Sequence, residues 1–408
     1  AKWLRGCRLL NTRLYFNRCA KTTVLDVPMN NGTPGAQNST YVNNAGPTFE
    51  GMRHDPVVPL AGEPVTISIS ADDFQGVQSV QTWYSVNGGS WQSVAMTLGS
   101  NDLYRATRPG QSSSSLVQFF VEAEDALGAT ATFPARGADA RALYKVDDGQ
   151  GDAQLHNFRI VMTAADADFM DTDIQLMSNE QLGATVIFDD RDIYYDVGAR
   201  YKGSERGRVV DSRIGFRLNF HADQPFNGVH QSIAIDRSAN QRESLQEMLI
   251  NVAMNRGGGV LSKYTDVIKV IAPKPEHTSP AELYLSRYND VFLDAQFDNG
   301  GDGGVFELEY IYYPKQADAE GYKVPQDDGV KTSSIRDHGN DKENYRWNYM
   351  IKNNRAKDDY SPWIRFAKIM GLSAGSSFNQ QIGDVVDVNQ WLRYMAYAVA
   401  SGPGDNYS

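Results

Sequence analysis

With 408 residues, a net charge of −11 and 41% hydrophobic side chains, the chain has the make-up of a globular protein of two or three domains. The acidic balance excludes a general nucleic-acid binder, whose surface must displace counterions from phosphates. Hydrophobic stretches such as 267–272 are far too short for a membrane-spanning helix.

The chain opens Ala-Lys-Trp, with no Met, basic n-region or apolar h-region, and the expectation is an interior piece of a longer protein. Cys7 and Cys19, the only cysteines, allow at most one bridge and cannot close a zinc site alone, so the redox compartment stays open. Residues 1–45 hold too little apolar sequence to fold alone and end in turn residues, Asn30 to Ser39. The run Gly32-Thr33-Pro34-Gly35-Ala36-Gln37-Asn38-Ser39 resembles the close of lamin-tail-like β modules of large bacterial surface proteins. That resemblance implies a C-terminal remnant of a preceding domain.

Residues 46–150 change to period-two patterning, in Val65–Ile69, Val80–Tyr84, Leu103–Ala106 and Val117–Ala123, with turns at Asn87-Gly88-Gly89 and Leu127-Gly128. Alternation predicts one buried face per strand, and the spacing predicts an all-β sandwich of the immunoglobulin or fibronectin type III kind. Trp83, Trp91 and Tyr104 are expected in its core or on its sheets rather than as a sugar platform. The polar stretch Val146–Asp152 makes the boundary to a different architecture.

From residue 151 onward strands and helices mix. Strands are predicted at Val186–Phe188, Ile193–Tyr201, Ile214–Phe220, Tyr264–Ile271, Val291–Leu293 and Val305–Ile311. Leu245, Met248, Leu249 and Val252 make one apolar helical stripe, stopped at Gly257-Gly258-Gly259. Asn340 or Asp341, Ser361-Pro362 and Asp387 mark the starts of later helices. Strands first and helices afterwards predict a two-lobed α+β domain over 151–408.

The loop Arg200-Tyr201-Lys202-Gly203-Ser204-Glu205-Arg206-Gly207-Arg208 gathers four cations and two glycines in nine residues of an acidic chain, a pattern suited to cradling phosphate. It lacks Walker A and kinase glycine-loop spacing, and a solvated basic loop has the same composition. Asp298-Asn299-Gly300-Gly301-Asp302-Gly303 with Glu309 matches a calcium loop only in part, because Gly300 stands at a ligand position, and a glycine-rich hairpin is the plainer expectation. The adjacent acids Asp189, Asp190 and Asp192 admit a carbohydrate-active hydrolase with paired carboxylates, although neighbouring acids on a turn are ordinarily solvated. His156, His221, His230, His277 and His338 show no metal-ligand spacing.

Taken in order, Val197–Ser204, Arg213–Phe220, Arg287–Leu293, Gly304–Glu309 and Asp387–Arg393 with Gly402–Tyr407 resemble the CotH-type (spore coat protein H-like) atypical protein kinases over about 155–408. The resemblance implies a secreted, periplasmic or cell-surface enzyme using ATP and Mg²⁺ to phosphorylate hydroxyls of extracytoplasmic proteins. It implies Asp405 as the catalytic aspartate, and Arg200, Lys202, Ser204 and Arg213 as nucleotide-phosphate ligands. Glu307 or Glu309 would partner a basic group, and Asn406 would be a subsidiary metal ligand. Arg213 stands where the family often has lysine, a planar fork in place of a point charge. The family's metal-binding aspartate falls beyond Ser408, so this chain is expected to transfer little phosphate by itself. A non-catalytic surface scaffold built on the same domain is the alternative reading.

Overall fold

A computed structural model describes residues 41–176, 178–203, 214–236, 248–288, 290–308, 311–312, 330–331, 335–346 and 349–401. It is rich in β-structure, with few helices. The chain divides into two compact units, one of residues 1–201, 218–224 and 268–280, the other of 202–217, 225–267 and 281–408.

The first unit begins with β1 (Thr48–Asp55) and β2 (Val65–Asp72). In β2 the pleat sends Val65, Ile67 and Ile69 into the core, while Thr66, Ser68 and Ser70 on the other face are only partly covered. β3 (Val77–Val86), β4 (Gln92–Ala95), β5 (Thr97–Leu98), β6 (Tyr104–Arg108), β7 (Leu116–Asp125), β8 (Thr130–Phe133) and β9 (Ala142–Lys145) follow. They form a sheet of order β1-β2-β6-β5 and a second of order β4-β3-β7-β8, with β9 also on β7. Both sheets feed one core, in which Ile67 and Ile69 meet Val80, Val117, Phe119 and Val121.

Strand β7 breaks its alternation, because Phe119, Phe120 and Val121 are all buried. Phe120 points to the opposite face from its two neighbours and is covered there by Trp83, its cross-strand partner, and by Trp91, at ring-centroid distances of 6.2 and 5.1 Å. The tryptophans thus lie on a sheet face, and Tyr104 packs on the edge of the core.

Two buried polar groups sit among these aromatics. Arg108 is 1% exposed, with its guanidinium over the rings of Tyr84, Phe119 and Tyr144 at 5.1, 4.9 and 5.4 Å. Its Nε, Nη1 and Nη2 find no hydrogen-bond partner among the described residues. His54 is fully buried, with Nε2 2.9 Å from the Val57 carbonyl and Nδ1 2.6 Å from the Tyr195 hydroxyl. A carbonyl only accepts, so Nε2 carries the proton and Nδ1 accepts from Tyr195. Burial, with the nearby charges of Arg108 and Arg53, pushes the His54 imidazole down to about 3 against the weaker opposing pull of Val57.

The same core continues into Val161, Ile187, Ile193 and Tyr195. These belong to β10 (His156–Val161), β11 (Leu182–Phe188) and β12 (Asp192–Lys202), in which burial runs nearly unbroken along both faces. Between β10 and β11 lie α1 (Ala164–Met170) and α2 (Asp173–Leu176). Thr163 caps α1, its hydroxyl accepting from the Asp166 N–H, and the Asp166 carboxylate holds the Arg141 guanidinium at 2.6 Å in a pair that is 1% and 9% exposed. With β13 (Gly215–Asn219), β14 (Ser232–Asp236), β15 (Thr265–Ile271) and β16 (Ser279–Leu285), these strands form a closed barrel of order β10-β11-β12-β13-β14-β16-β15. β15 runs parallel to β10, with His156 opposite Ile268 and Arg159 opposite Ile271.

In the second unit, residues 248–253 are helical and pass into a π-turn, Met254–Gly258, that ends on Gly259 in the left-handed region at φ 55°. The strand expected at Val291–Leu293 is instead α3 (Asp290–Gln296), which buries Phe292 and Leu293. Three consecutive apolar residues satisfy either period, and the contacts of Phe292 and Leu293 decide for the helix. β17 (Phe306–Leu308) pairs with β20 (Tyr349–Ile351), and β18 (Ile311–Tyr312) with β19 (Val330–Lys331). The helices α4 (Glu343–Arg346), α5 (Ser361–Met370), α6 (Ser376–Gln381) and α7 (Val388–Ser401) complete the unit. Pro362 sits in the first turn of α5 as expected, but Ser361 is already helical, and the capping acceptor for its N–H is Asp359 at 2.9 Å. Asp387 does cap α7, accepting from the Gln390 N–H at 3.0 Å. Tyr345, Tyr349, Tyr360 and Ala367 form a small core flanked by Phe306 and Trp363.

Candidate phosphate-binding site

The second unit gathers positive charge around one carboxylate. β17 presents Glu307 opposite Met350 of β20, and Lys352, two residues farther along, lies on the diagonal that long side chains span. The Lys352 ammonium meets Glu307 at 2.5 Å, Lys352 being largely buried and Glu307 half-exposed. Burial works to raise the Glu307 carboxyl, but Lys352, with Arg287 and Arg217 beyond it, outweighs burial and holds it below the ordinary carboxylate range. Burial pushes the Arg287 guanidinium down, Glu307 pulls it up, and the adjacent Arg355 pushes it down again. Arg287 is tethered through Nη1, which donates to the Ser232 hydroxyl at 3.4 Å. Four cations thus lie near one another, Lys352, Arg287 and Arg217 acting on Glu307 and Arg355 acting on Arg287.

A second basic element stands at the end of β12, where Lys202 forms an ion pair with Asp236 at the end of β14. Arg200 falls in the first unit, where its Nη1 donates to the Tyr201 carbonyl at 2.9 Å. Ser204, Arg213, Glu309, Asp405 and Asn406 lie outside the described residues, as do Cys7, Cys19 and residues 1–40 of the remnant assigned to 1–45. Among the described residues, no group of three or more His, Cys, Asp or Glu side chains is arranged to hold a metal.

The remaining sequence candidates are engaged locally. Asp189 accepts from His156 at 2.8 Å, Asp190 from Arg159 at 2.6 Å and from Asn157 at 2.8 Å, and Asp192 meets Arg191 at 2.7 Å. Each of these three acids is thus held by a neighbouring side chain. In the glycine-rich loop, Gly300–Asp302 forms a 3₁₀ turn, and the Gly301 N–H donates to Asp294 at 2.7 Å. The Asn353 and Asn354 amides donate to the Gly303 carbonyl at 2.6 and 3.0 Å and also reach the Gly301 carbonyl. The Gly301 and Gly303 carbonyls are thus held by side-chain amides, as in an ordinary glycine-rich turn.

Lys352 and Arg355 were not legible as site residues, since Lys352-Asn353-Asn354-Arg355 follows a three-residue strand and matches no motif. The one available signal is Tyr349-Met350-Ile351 as a possible partner for the strand carrying Glu307.

No family model matches the chain, and no curated protein does. Among solved structures it is similar to the Br derivative of BhCBM56, with 20% identity, 22% of this chain and 88% of that one covered, and a TM-score of 0.16. It is also similar to the cycloalternan-forming enzyme from Listeria monocytogenes in complex with pentasaccharide substrate, with 11% identity, coverage of 47% and 16%, and a TM-score of 0.20. The twitchin kinase region from C. elegans shows 13% identity, coverage of 58% and 39%, and a TM-score of 0.18. The chain spans less than half the length of the last two, and none of these likenesses assigns it a function.

Proposed function

We propose that the second unit binds the phosphates of a nucleotide and belongs to a CotH-type protein kinase that transfers phosphate from ATP to protein hydroxyls outside the cytoplasm. In this reading the residue 46–150 strands are an immunoglobulin- or fibronectin-like module that displays the kinase-like α+β domain. The observation that supports it is the Lys352–Glu307 ion pair with Arg287 and Arg217 acting on the same carboxylate and Arg355 beside Arg287, in a chain of net charge −11. Phosphoryl transfer is chiefly positioning and charge neutralisation, which such a cluster supplies through charge-assisted hydrogen bonds. Glu307 keeps Lys352 oriented in the absence of ligand, and Asp236 does the same for Lys202. Asp405 is the residue assigned to orient the acceptor hydroxyl.

The test is thermal unfolding with and without Mg-ATP. At a hundredfold excess over the dissociation constant, ATP stabilises by about 2.7 kcal/mol. Lys352→Ala combined with Arg287→Ala is expected to abolish the shift, as is Lys202→Ala. A shift retained in both variants removes these cations from the site. Asp405→Asn in a version of the protein extended past Ser408 separates the two readings of the domain. Transfer that is lost while ATP still binds supports the kinase, and binding with no transfer in the unmutated protein leaves the scaffold.

A further inference from the structure

A cavity of about 480 Å³ in the second unit is lined by five aromatic side chains: Phe306 of β17, Trp363 and Phe366 of α5, and Trp391 and Tyr394 of α7. Its size falls within the roughly 300–1,000 Å³ typical of small-molecule pockets. Trp363 is the fixed centre of the wall, packed against Phe306, Phe366 and Tyr349 at ring-centroid distances of 5.4, 5.4 and 4.4 Å. Among the described residues of the lining, Asp387 is the one charged side chain. Its Oδ1 is occupied as the cap of α7, and no cation is paired with it among the described residues. Gln390 is anchored by its Nε2, which donates to the Gly259 carbonyl at 3.2 Å and leaves its own carbonyl oxygen as a further acceptor of the wall.

Aromatic faces carry negative quadrupole potential, and beside a carboxylate they select a cation. The amino end of α7 offsets up to about half a charge of Asp387, so the rings contribute a substantial part of the attraction. A primary ammonium brings three N–H donors that each need an acceptor, in a wall made mostly of ring carbon. An alkylated ammonium carries the same charge, needs no hydrogen bonds, and places its methyl groups against the rings. We infer that this cavity binds a small solute bearing a trimethylammonium group, held over the Trp363 and Trp391 faces with Asp387 at its rim. The assignment is independent of the phosphate site, since none of the four clustered cations lines the cavity.

Titration of the intact chain with choline, followed by calorimetry and tryptophan fluorescence, tests it. The neutral isostere 3,3-dimethylbutan-1-ol has the same shape without the charge. Choline is expected to saturate a single site and to bind about tenfold or more tightly than the isostere. Asp387→Asn retains the helix cap, because asparagine caps as well as aspartate, and is expected to weaken choline binding severalfold with an unchanged melting temperature. Trp391→Leu is expected to lose binding. Equal affinity for choline and its isostere, an unchanged affinity in Asp387→Asn, or no saturable binding overturns the inference. Binding to phosphatidylcholine vesicles without a response to free choline overturns the assignment to a soluble ligand.

Discussion

Replacing Arg108 by methionine tests whether a buried guanidinium without hydrogen bonds is tolerated or useful. Three rings stand within 5.4 Å of its charge, and each desolvated cation–π contact is worth about 2 kcal/mol, although one charge shared among three rings gains less than three times that. Against this stands the cost of desolvating an ion, still several kcal/mol after relaxation. No hydrogen bond offsets that cost among the described residues. Methionine keeps most of the stem and its contacts with Tyr84, Phe119 and Tyr144, and removes the charge. The balance gives a gain of about 1–3 kcal/mol, within the range seen when buried ions yield to apolar side chains. Urea unfolding should show a higher midpoint at unchanged slope, and heating a midpoint raised by about 2–4 °C per kcal/mol for a domain of 150–250 residues. Arg108→Ala leaves a void and should be less stable than Arg108→Met. A loss of more than about 1 kcal/mol in Arg108→Met refutes the reasoning and makes the aromatic cage a net stabiliser.

The His54 imidazole titrates at about 3 when folded and near 6.5 when unfolded, so the unfolded chain binds the extra proton between those values. Stability should fall as pH drops below 6.5, by about 1.4 kcal/mol per unit down to pH 3, and His54→Gln should flatten that slope in calorimetry. Asp166→Ala strands the Arg141 guanidinium in a site where the pair is 1% and 9% exposed, and should cost about 3–5 kcal/mol by denaturant unfolding. Asn353→Ala removes the amide that holds Gly303 and Val305, and should cost about 1–3 kcal/mol with faster amide exchange at Val305.

Alternation was readable wherever one strand face meets a core. Val65, Ile67 and Ile69 mark β2 without help from any neighbour. It failed at Phe120, whose burial depends on Trp83 from another strand and Trp91 from a loop, contacts that no local period encodes. Helix starts at Pro362 and Asp387 were legible because capping chemistry is local, whereas Val291–Leu293 was misread because its burial is decided by distant residues. The polar turn at 146–152 was readable, but the bond from the Leu143 N–H to the Thr185 hydroxyl at 2.8 Å, which ties the strand before it to β11, was not. The candidate phosphate site divides in the same way. Glu307 or Glu309 could be named from motif order, while Lys352 reaches Glu307 only through the β17–β20 pairing.

The closed barrel carries a constraint of parity. Seven strands make seven interfaces, and each antiparallel one reverses direction. A circuit returns to its starting direction only after an even number of reversals, so an odd number of the seven interfaces must be parallel. The β10–β15 pair meets that requirement, and a parallel pair cannot be joined by a hairpin. Its partners are separated by the whole stretch from residue 161 to residue 265, so the ring is sealed by contacts far apart in sequence. Loop-closure entropy places such a seam late in folding. Synthesis of β10 therefore leaves one edge awaiting a strand about a hundred residues away, and a chaperone that shields open strand edges would act on that interval.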